Sequence, residues 1–414
     1  MPSLFRNRNF TLLFAGESVS DLGSAVTGLA FPLVAIAVLH ASAFEVGLVA
    51  AASNAAWLVV ALPAGAVVDR LRRRPILIAT DIGRALALAS VPLAYALDGL
   101  TIAQLIVVAF LISVGTVVFD IAYPSFLPSL VPSERLVSAN GLLEASTNAS
   151  FIAGPPIGGV LVQIFGAPVA LLADIASFVV SAVAVAAIRV REQAHEAHTR
   201  SGMWREIRDG LSYVRRHRLI SPLIATVTIA NFAFGVYSAV IVVFLARQLD
   251  LKAGVIGALF AVGAIGGVIG ALSSGAVAKR IGDARLLWLS AVINVPAILT
   301  LPLTSAGAGL AWFVAGQFVL NMGIALFNVC VRAAIQRSTP SEMMGRTTAS
   351  IRVFSRGALP LGSLAGGALA TAASPRAALF VMVALYVLVP LRLYLSPIGR
   401  VRTVDELTPA VTPA

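Results

Sequence analysis

Long apolar runs recur along almost the whole chain, from Phe10 to Leu395, and only short polar segments separate them. A helix needs roughly 20 mostly apolar residues to cross a bilayer. Inside a bilayer no water can bond to the backbone, so each run is expected to form a helix that satisfies its own polar groups. The pattern predicts an all-α membrane protein of about twelve transmembrane helices. The predicted spans are residues 12–39, 44–68, 75–97, 101–123, 140–164, 168–189, 220–246, 254–278, 286–304, 308–334, 348–373 and 377–395.

The composition supports this interpretation and limits the alternatives. Of the 414 residues 58% are hydrophobic and 12% are charged, whereas about a quarter of the residues in a soluble protein are charged. The net charge is +11, but the arginines cluster in the joints between apolar runs and form no continuous face. This distribution argues against nucleic-acid binding and is typical of the charge bias at a membrane's inner surface.

Basic residues are concentrated in alternate joints, and lysine and arginine are enriched in cytoplasmic loops. The odd-numbered joints hold only Arg247, Lys252 and Arg376. The pattern predicts that both termini and all even-numbered joints are cytoplasmic. The even-numbered joints contain Arg70, Arg72, Arg73, Arg74, Arg135, Lys279, Arg280, Arg285, Arg337, Arg346 and several arginines between residues 190 and 219.

Two segments of the first half return in the second half after about 210 residues. Residues 65–70 resemble residues 275–280, and residues 154–159 resemble residues 362–367. An even number of spans per repeat keeps the orientation, so the halves are predicted to be parallel six-helix repeats with the substrate bound between them. The predicted organisation is an N-terminal half (1–189), a cytoplasmic linker (190–219) and a C-terminal half (220–414). Trp204, Ile207, Leu211 and Val214 predict an amphipathic surface helix in the linker, and a solvated linker is the alternative.

The joint after span two carries a motif made of Gly65, Asp69, Arg70, Arg73 and Arg74. This motif resembles the gating motif of the major facilitator superfamily, and the resemblance extends over essentially the whole chain. Arg72 stands where the family usually has a second glycine. The resemblance implies a twelve-helix fold and a contact that forms in only one gating state, whereas a merely basic loop is the alternative. Asp120, at the end of span four, is expected to pair with Arg70 or Arg73.

Span five resembles the motif that this family's exporters carry. Ser150 replaces one of its glycines. Small residues permit close helix contact, and Pro155 removes a backbone hydrogen bond and is expected to bend the helix. In the family this motif is associated with antiport, and a well-packed helix without that role is the alternative. The matching residues are Gly141, Gly154, Pro155, Gly158 and Gly159.

Other segments are similar to the macrolide-efflux-like branch of the superfamily, which contains drug exporters. They are residues 119–128, residues 174–178, and Gly345 and Arg346 followed by Arg352. Span four contains no arginine, unlike the better-known drug/proton antiporters, which leaves their proton relay in doubt for this chain.

Ionisable residues inside a span are costly and are functional candidates. Glu17 and Asp21 lie four residues apart, hence on one face of span one. Two close carboxylates bind a shared proton readily, so they are the proton-coupling candidates. The alternative is that they pair with an arginine. Asp81 and Arg84 are expected to satisfy each other, and Asp174 is expected to act in helix packing or gating.

Arg356 is the deepest cation of span eleven and is expected to neutralise Glu17 or Asp21, or to contact an anionic substrate. Arg356 is also a candidate for the wall of the substrate cavity, together with four uncharged polar residues: Asn231, Gln317, Asn321 and Asn328. For each amide the alternative is a hydrogen bond between helices.

The sequence has a single cysteine, Cys330, no phosphate-binding glycine-lysine motif and no nucleophile–base signature. It therefore predicts no metal, no cofactor, no catalytic residue and no enzymatic activity.

The predicted function is export of amphipathic small molecules, such as drugs or macrolide-type natural products, by proton antiport with alternating access. The alternative is proton-coupled uptake or export of a metabolite such as a siderophore. The expected partners are the small-molecule substrate, protons and membrane lipid. The expected setting is a monomer in a bacterial cytoplasmic membrane.

Overall fold

The computed structural model describes residues 4–190, 217, 219–338 and 341–407, and every regular element within these ranges is helical. Ten of the described helices are long and apolar enough to cross a bilayer. The prediction of an all-helical membrane protein is therefore confirmed. The predicted amphipathic helix of the linker lies outside the described residues. The helices are α1 Arg8–Leu33, α2 Ala43–Val59, α3 Ala61–Arg70, α4 Arg73–Ala96, α5 Ile102–Phe126, α6 Leu136–Phe165, α7 Ala167–Ala170, α8 Leu172–Ala187, α9 Ile220–Val243, α10 Ala253–Ile281, α11 Asp283–Leu303, α12 Leu310–Ser338, α13 Ser341–Ala372 and α14 Pro375–Tyr394.

Two of the predicted spans are interrupted. The second consists of α2 and α3, which separate at Val60, and the sixth consists of α7 and α8, which separate at Leu171. Pro63 explains the first break, because proline has no N–H for the carbonyl of Val59 and its ring clashes with that carbonyl. Proline is tolerated in the first turn of a new helix, and Pro63 lies in the first turn of α3.

The helices form two compact units. The first unit comprises Met1–His198 with Leu245–Ala261, and the second comprises Thr199–Phe244 with Val262–Ala414. In the first unit α1 packs against α6 and α8, while α4 packs against α5 and α8. In the second unit α9 packs against α13 and α14, and α11 packs against α12 and α14.

Local geometry repeats along the chain, as the recurring sequence segments predict. A five-residue π-helical turn follows α1 at Val34–Val38, and another of the same length follows α9 at Phe244–Gln248, 210 positions later. Each turn is soon followed by a residue in the left-handed region, His40 with φ 49° and Asp250 with φ 51°. Non-glycine residues seldom adopt this conformation, so its recurrence at the same offset is strong evidence for an internal structural repeat.

Candidate functional site

Glu17 and Asp21 lie one helical turn apart on α1, and both are half-buried. Thr147 on α6 donates a hydrogen bond from Oγ1 to Asp21 Oδ2 at 2.6 Å. Glu17 Oε2 is buried and has no hydrogen-bond partner. In the part of the chain that the structure describes, neither carboxylate forms an ion pair. The predicted alternative, in which each acid pairs directly with an arginine, is therefore not observed.

A second charged group lies on α4, where Arg84 donates a hydrogen bond to Asp81 Oδ1 and forms an ion pair with it. Both residues are buried, so the predicted Asp81–Arg84 pair is present. The guanidinium carbon of Arg84 lies 4.3 Å from the ring centre of Phe178 and 4.8 Å from that of Phe119. These rings supply cation–π contacts and exclude water from two sides of the guanidinium.

Helix α8 packs against both α1 and α4. Phe178 of α8 contacts the Arg84 guanidinium, and Asp174 of α8 accepts a hydrogen bond from Ser24 of α1. The acids of α1 and the ion pair of α4 therefore lie on two helices that both contact α8. Sequence spacing predicted the pairs within α1 and within α4, but it did not predict that one helix would contact both.

Asp174 lies in the first turn of α8 and is buried. Its Oδ1 accepts hydrogen bonds from Ser177 Oγ at 2.9 Å and from Ser24 Oγ of α1 at 3.3 Å. A Cβ atom at Gly23 would lie 2.6 Å from Ser177 Cβ, so α1 and α8 approach closely here. These contacts are compatible with the expected helix-packing role of Asp174.

Three glycines of the exporter-like motif in α6 lie where neighbouring helices approach closely. A Cβ atom at Gly154 would overlap the side chain of Ala25 on α1, and one at Gly158 would lie 3.2 Å from the Val26 backbone. A Cβ atom at Gly159 would lie 2.5 Å from the carbonyl oxygen of Ala253, at the start of α10. These three glycines therefore permit contacts that a larger residue would prevent.

The other motif positions in α6 behave differently. Within the described part of the chain, no atom outside its own helix lies within 4 Å of the position that the Cβ of Gly141 would occupy, so the described packing does not require glycine there. The helix continues from Leu136 to Phe165 through Pro155 and Pro156. The expected bend at Pro155 stays a prediction.

The gating-like motif lies at the end of α3 and the start of α4. Among the described residues, no atom outside its own helix lies within 4 Å of the hypothetical Cβ of Gly65, so the close helix contact expected there stays a prediction. Arg74 donates from Nε to Val185 O at 3.1 Å and from Nη2 to Ala186 O, near the end of α8. Basic side chains near the C-terminus of a helix bond to its last carbonyls in this way.

The remaining gating candidates are described only in part. Asp120 is exposed near the end of α5, and Arg73 is half-buried in the first turn of α4. The side chains of Asp69 and Arg70 lie outside the described set. The pairing of Asp120 with Arg70 or Arg73 therefore stays a prediction.

The candidates for the cavity wall all belong to the second unit, and they occupy different environments. Gln317 is buried and its Nε2 donates to the hydroxyl of Tyr237 at 2.6 Å, which joins α12 to α9. Asn321 Nδ2 donates to Gln317 O at 2.8 Å within α12. Gln317 thus matches the helix–helix alternative, and Asn321 bonds within its own helix. The other three are Asn231, which is half-buried, and Asn328 and Arg356, which are exposed.

Two polar residues were not predicted as candidates. Asn294 on α11 is fully buried, and its Nδ2 donates to the hydroxyl of Tyr386 on α14 at 3.1 Å, while its Oδ1 has no hydrogen-bond partner. Its position between Ile293 and Val295, inside an apolar run, is the signal that could have revealed it. Thr147 gave no such signal, because a threonine that contacts Asp21 across helices looks in sequence like any other helix-packing residue.

The cluster of buried charges inside a polytopic helical membrane protein is typical of transporters that move solutes across membranes. A family model of the Major Facilitator Superfamily matches residues 13–362. The chain therefore belongs to the Major Facilitator Superfamily, and it is a multi-pass membrane transporter.

Relatives and solved structures agree with this assignment. The multidrug efflux pump Tap of Mycolicibacterium fortuitum is 28% identical over 392 residues, which cover 90% of this chain and 91% of Tap. Macrolide efflux protein A of Streptococcus pyogenes is 22% identical over 357 residues, which cover 85% of this chain and 87% of that protein. A bacterial homologue of the iron transporter ferroportin, in an inward-facing state, has a TM-score of 0.74 at 18% identity and covers 93% of this chain and 98% of its own. A bacterial homologue of the lysosomal transporter Spinster has a TM-score of 0.75 at 13% identity, with 99% of both chains covered. At these identities the two solved structures show the fold alone.

Proposed function

We propose that this transporter exports amphipathic small molecules, of the drug or macrolide-type natural-product class, by proton antiport with alternating access. Two relatives, a multidrug efflux pump and a macrolide efflux protein, support export. The exporter-like motif in α6 supports the same direction, because three of its glycines lie in close helix contacts.

The proton-coupling part of the proposal rests on the surroundings of Glu17 and Asp21. They lie one turn apart in a span, and the described part of the chain places no basic residue in ion-pair contact with either. An ionised carboxylate in an apolar surrounding is costly unless it is paired or hydrogen-bonded. Binding a proton removes that cost and releasing it restores the charge, which is what a proton carrier must do.

Alternating access would depend on the gating motif and on two six-helix halves. We assign the gate to Gly65, Asp69, Arg70, Arg73, Arg74 and Asp120, and the halves to residues 1–189 and 220–414, joined by a linker at 190–219. Asn231, Asn328 and Arg356 are the candidates for contacts with substrate. We expect a monomer in a bacterial cytoplasmic membrane with both termini cytoplasmic, as the basic joints predict.

Efflux from intact cells tests the proposal. Cells that express the protein are loaded with ethidium or with labelled erythromycin, and the loss of each probe is followed over time. Efflux should stop when a protonophore is added and continue when ATP is depleted while the proton gradient is kept. Net accumulation of either probe, in place of loss, would contradict export.

A further inference from the structure

The start of α2 is completed by residues of its own segment. Ser42, which precedes this helix, accepts a hydrogen bond from Glu45 N at 3.2 Å, and the Glu45 carboxylate accepts one from Ser42 N at 2.7 Å. This reciprocal pair is a capping box. It satisfies backbone N–H groups that have no partner within the helix. The N-terminal half therefore needs no other helix to finish the start of α2.

The corresponding start of α10 lacks these residues. Lys252 takes the position of Ser42, because it follows at the same offset of 210 residues that separates the two π-helical turns. Its carbonyl accepts the first helical hydrogen bond, from Ile256 N at 3.1 Å, just as the Ser42 carbonyl does in α2. A lysine side chain carries only donors, and Val255, in the position of Glu45, has no polar side-chain atom. A capping box therefore cannot form at the start of α10.

An acceptor for the start of α10 comes from α6. Gly254, the second residue of α10, donates a hydrogen bond from its backbone N–H to Gln163 Oε1 at 3.2 Å. The first four N–H groups of a helix have no partner within it, so this bond replaces a local cap. A Cβ atom at Gly254 would lie 2.3 Å from the same Gln163 oxygen, so the absence of a side chain lets the amide come this close.

The backbones of α6 and α10 stay close beyond this bond. A Cβ atom at Gly159 would lie 2.5 Å from Ala253 O, and one at Gly257 would lie 2.4 Å from Pro155 O. All these residues belong to the first compact unit, which contains the segment Leu245–Ala261 as well as the N-terminal half. The joints that follow spans five and seven are odd-numbered and are predicted to lie outside. In that orientation the contact joins the outer ends of the two helices.

We propose that Gln163 is a positioning residue that caps α10 from the opposite half, so that the start of α10 is complete only while α6 and α10 are in contact. The inference rests on the alternating access proposed above, in which the outer ends of the halves separate to release substrate. Separation leaves the Gly254 N–H to water, whereas α2 keeps its capping box in either state. The cap therefore favours the state in which the outer ends of α6 and α10 are together.

Amide hydrogen exchange of the purified full-length protein tests the cap. In Gln163→Leu the protection of the amides of residues 253–256 should fall about fivefold, the usual effect of losing a helix cap. In Gln163→Glu the protection should persist, because the carboxylate keeps an acceptor at the positive end of the helix. Unchanged protection in Gln163→Leu would overturn the proposal. Gln104→Leu is the matched control: Gln104 Nε2 donates to Ser90 O at 3.0 Å and joins α5 to α4, so its replacement should leave these amides unchanged.

A capping box copied from α2 shows whether the lost protection comes from the missing cap. Lys252→Ser combined with Val255→Glu supplies a local acceptor, and Val255 is 40% exposed, so the new carboxylate stays in contact with solvent. In the Gln163→Leu background this pair should restore protection to within about twofold of the wild type. Lys252→Ala combined with Val255→Glu carries the same charges without the hydroxyl and should not restore it. Failure of the serine pair, or equal restoration by the alanine pair, would overturn the proposal.

Pulsed EPR measures the effect of the cap on the two states. Nitroxide labels are attached in Phe165→Cys combined with Ala258→Cys, at two exposed positions on α6 and α10, after Cys330→Ala removes the native thiol. The distance between the labels reports whether the outer ends are together. Gly159→Ala places a methyl group against α10 and should mark the longer distance.

Gln163→Leu should increase the population with the longer distance. The copied capping box should increase it as well in the wild-type background, because it completes the start of α10 after the helices separate. A population equal to that of the wild type in either variant would overturn the proposal. Exchange and EPR need no substrate or proton gradient, so an absence of proton-driven efflux would contradict the proposed function and leave these results standing.

Discussion

Thr147 and Asp21 join α6 to α1 through a hydrogen bond of 2.6 Å between Oγ1 and Oδ2. Hydrogen bonds to charged groups contribute about 1.5–3 kcal/mol, so this contact favours the ionised form of Asp21. It also places a proton-coupling candidate directly on the helix that carries the exporter-like motif.

Replacing Thr147 with valine should therefore slow proton-driven efflux by about tenfold and move its pH optimum upward, because the protonated form of Asp21 loses less than the ionised form. Thr147→Ser keeps the hydroxyl and should retain most of the activity. The measurement is ethidium efflux from cells at a series of external pH values. Equal loss in both variants would point to a packing role for Thr147.

The glycines of α6 give a prediction with a control in the same helix. Gly154→Ala would force its new methyl group against Ala25, and overpacking typically costs about 1–3 kcal/mol. Gly141→Ala meets open space, so it should leave the thermal unfolding midpoint unchanged or raise it. The thermal unfolding midpoint of each detergent-purified variant, monitored by size-exclusion chromatography after heating, measures both effects. A similar loss of stability in the two variants would contradict the contact between Gly154 and Ala25.

Gln317 has two interpretations, a helix–helix hydrogen bond to Tyr237 or a contact with the substrate, and variants of the two residues distinguish them. If it only joins α12 to α9, then Gln317→Leu and Tyr237→Phe should each lower stability, with a coupling energy of about 0.6 kcal/mol and at most about 1.7 kcal/mol. The set of exported compounds should then stay the same. A drug-susceptibility panel that changes for Gln317→Leu and stays constant for Tyr237→Phe would instead assign Gln317 to the substrate cavity.

The C-terminal segment is held at the start of α11. Val404 N donates to Asp283 Oδ1 at 2.8 Å, and Arg337 forms an ion pair with the same carboxylate. Asp283→Ala should therefore expose the segment after Tyr394 to limited proteolysis. Arg392→Ala, which changes a charge in the last turn of α14, is the comparison variant and should leave the cleavage rate unchanged.

Glu406 gives this segment a defined pH dependence. Hydrogen bonds from the backbone N–H groups of Thr403 and Arg402 lower the pKa of the Glu406 carboxyl below its ordinary value. A lowered folded-state pKa adds stability above the unfolded value of about 4.3, and that stability is lost as the pH falls through the folded value. The protection of the amides in residues 402–406, taken as the ratio of the intrinsic to the observed exchange rate at each pH, should therefore fall on acidification below about pH 4.3, and Glu406→Gln should remove this dependence. Protection that falls equally with pH in the variant would exclude Glu406 as the cause.

The sequence predicts the helical fold well because two properties determine it: the length of the apolar runs, and the need of the backbone to form its own hydrogen bonds inside the bilayer. Repeats of short motifs predict two similar halves of the chain, and the π-helical turns at Val34–Val38 and Phe244–Gln248 show the same repeat in the structure. The division of span two is harder to predict, because Pro63 can bend a helix or begin a new one.

The site is predicted only within single helices. The spacing of Asp81 and Arg84, and of Glu17 and Asp21, is sufficient to place each pair on one face. Which helices pack together, as α8 does with both α1 and α4, is encoded by no local pattern. For the same reason the sequence does not show that Gln317 bonds to Tyr237, which lies 80 positions away on another helix.

Transport in reconstituted liposomes tests proton-driven export most directly. The protein is reconstituted with the interior acidic, and uptake of labelled erythromycin and of ethidium is followed as protons leave. The account predicts uphill accumulation of at least one probe. A protonophore should abolish this accumulation, and so should the double variant Glu17→Gln with Asp21→Asn. The control variant Gly141→Ala should accumulate the probe normally. Accumulation only when the exterior is acidic, or uphill transport that the double variant leaves unchanged, would contradict proton antiport through Glu17 and Asp21.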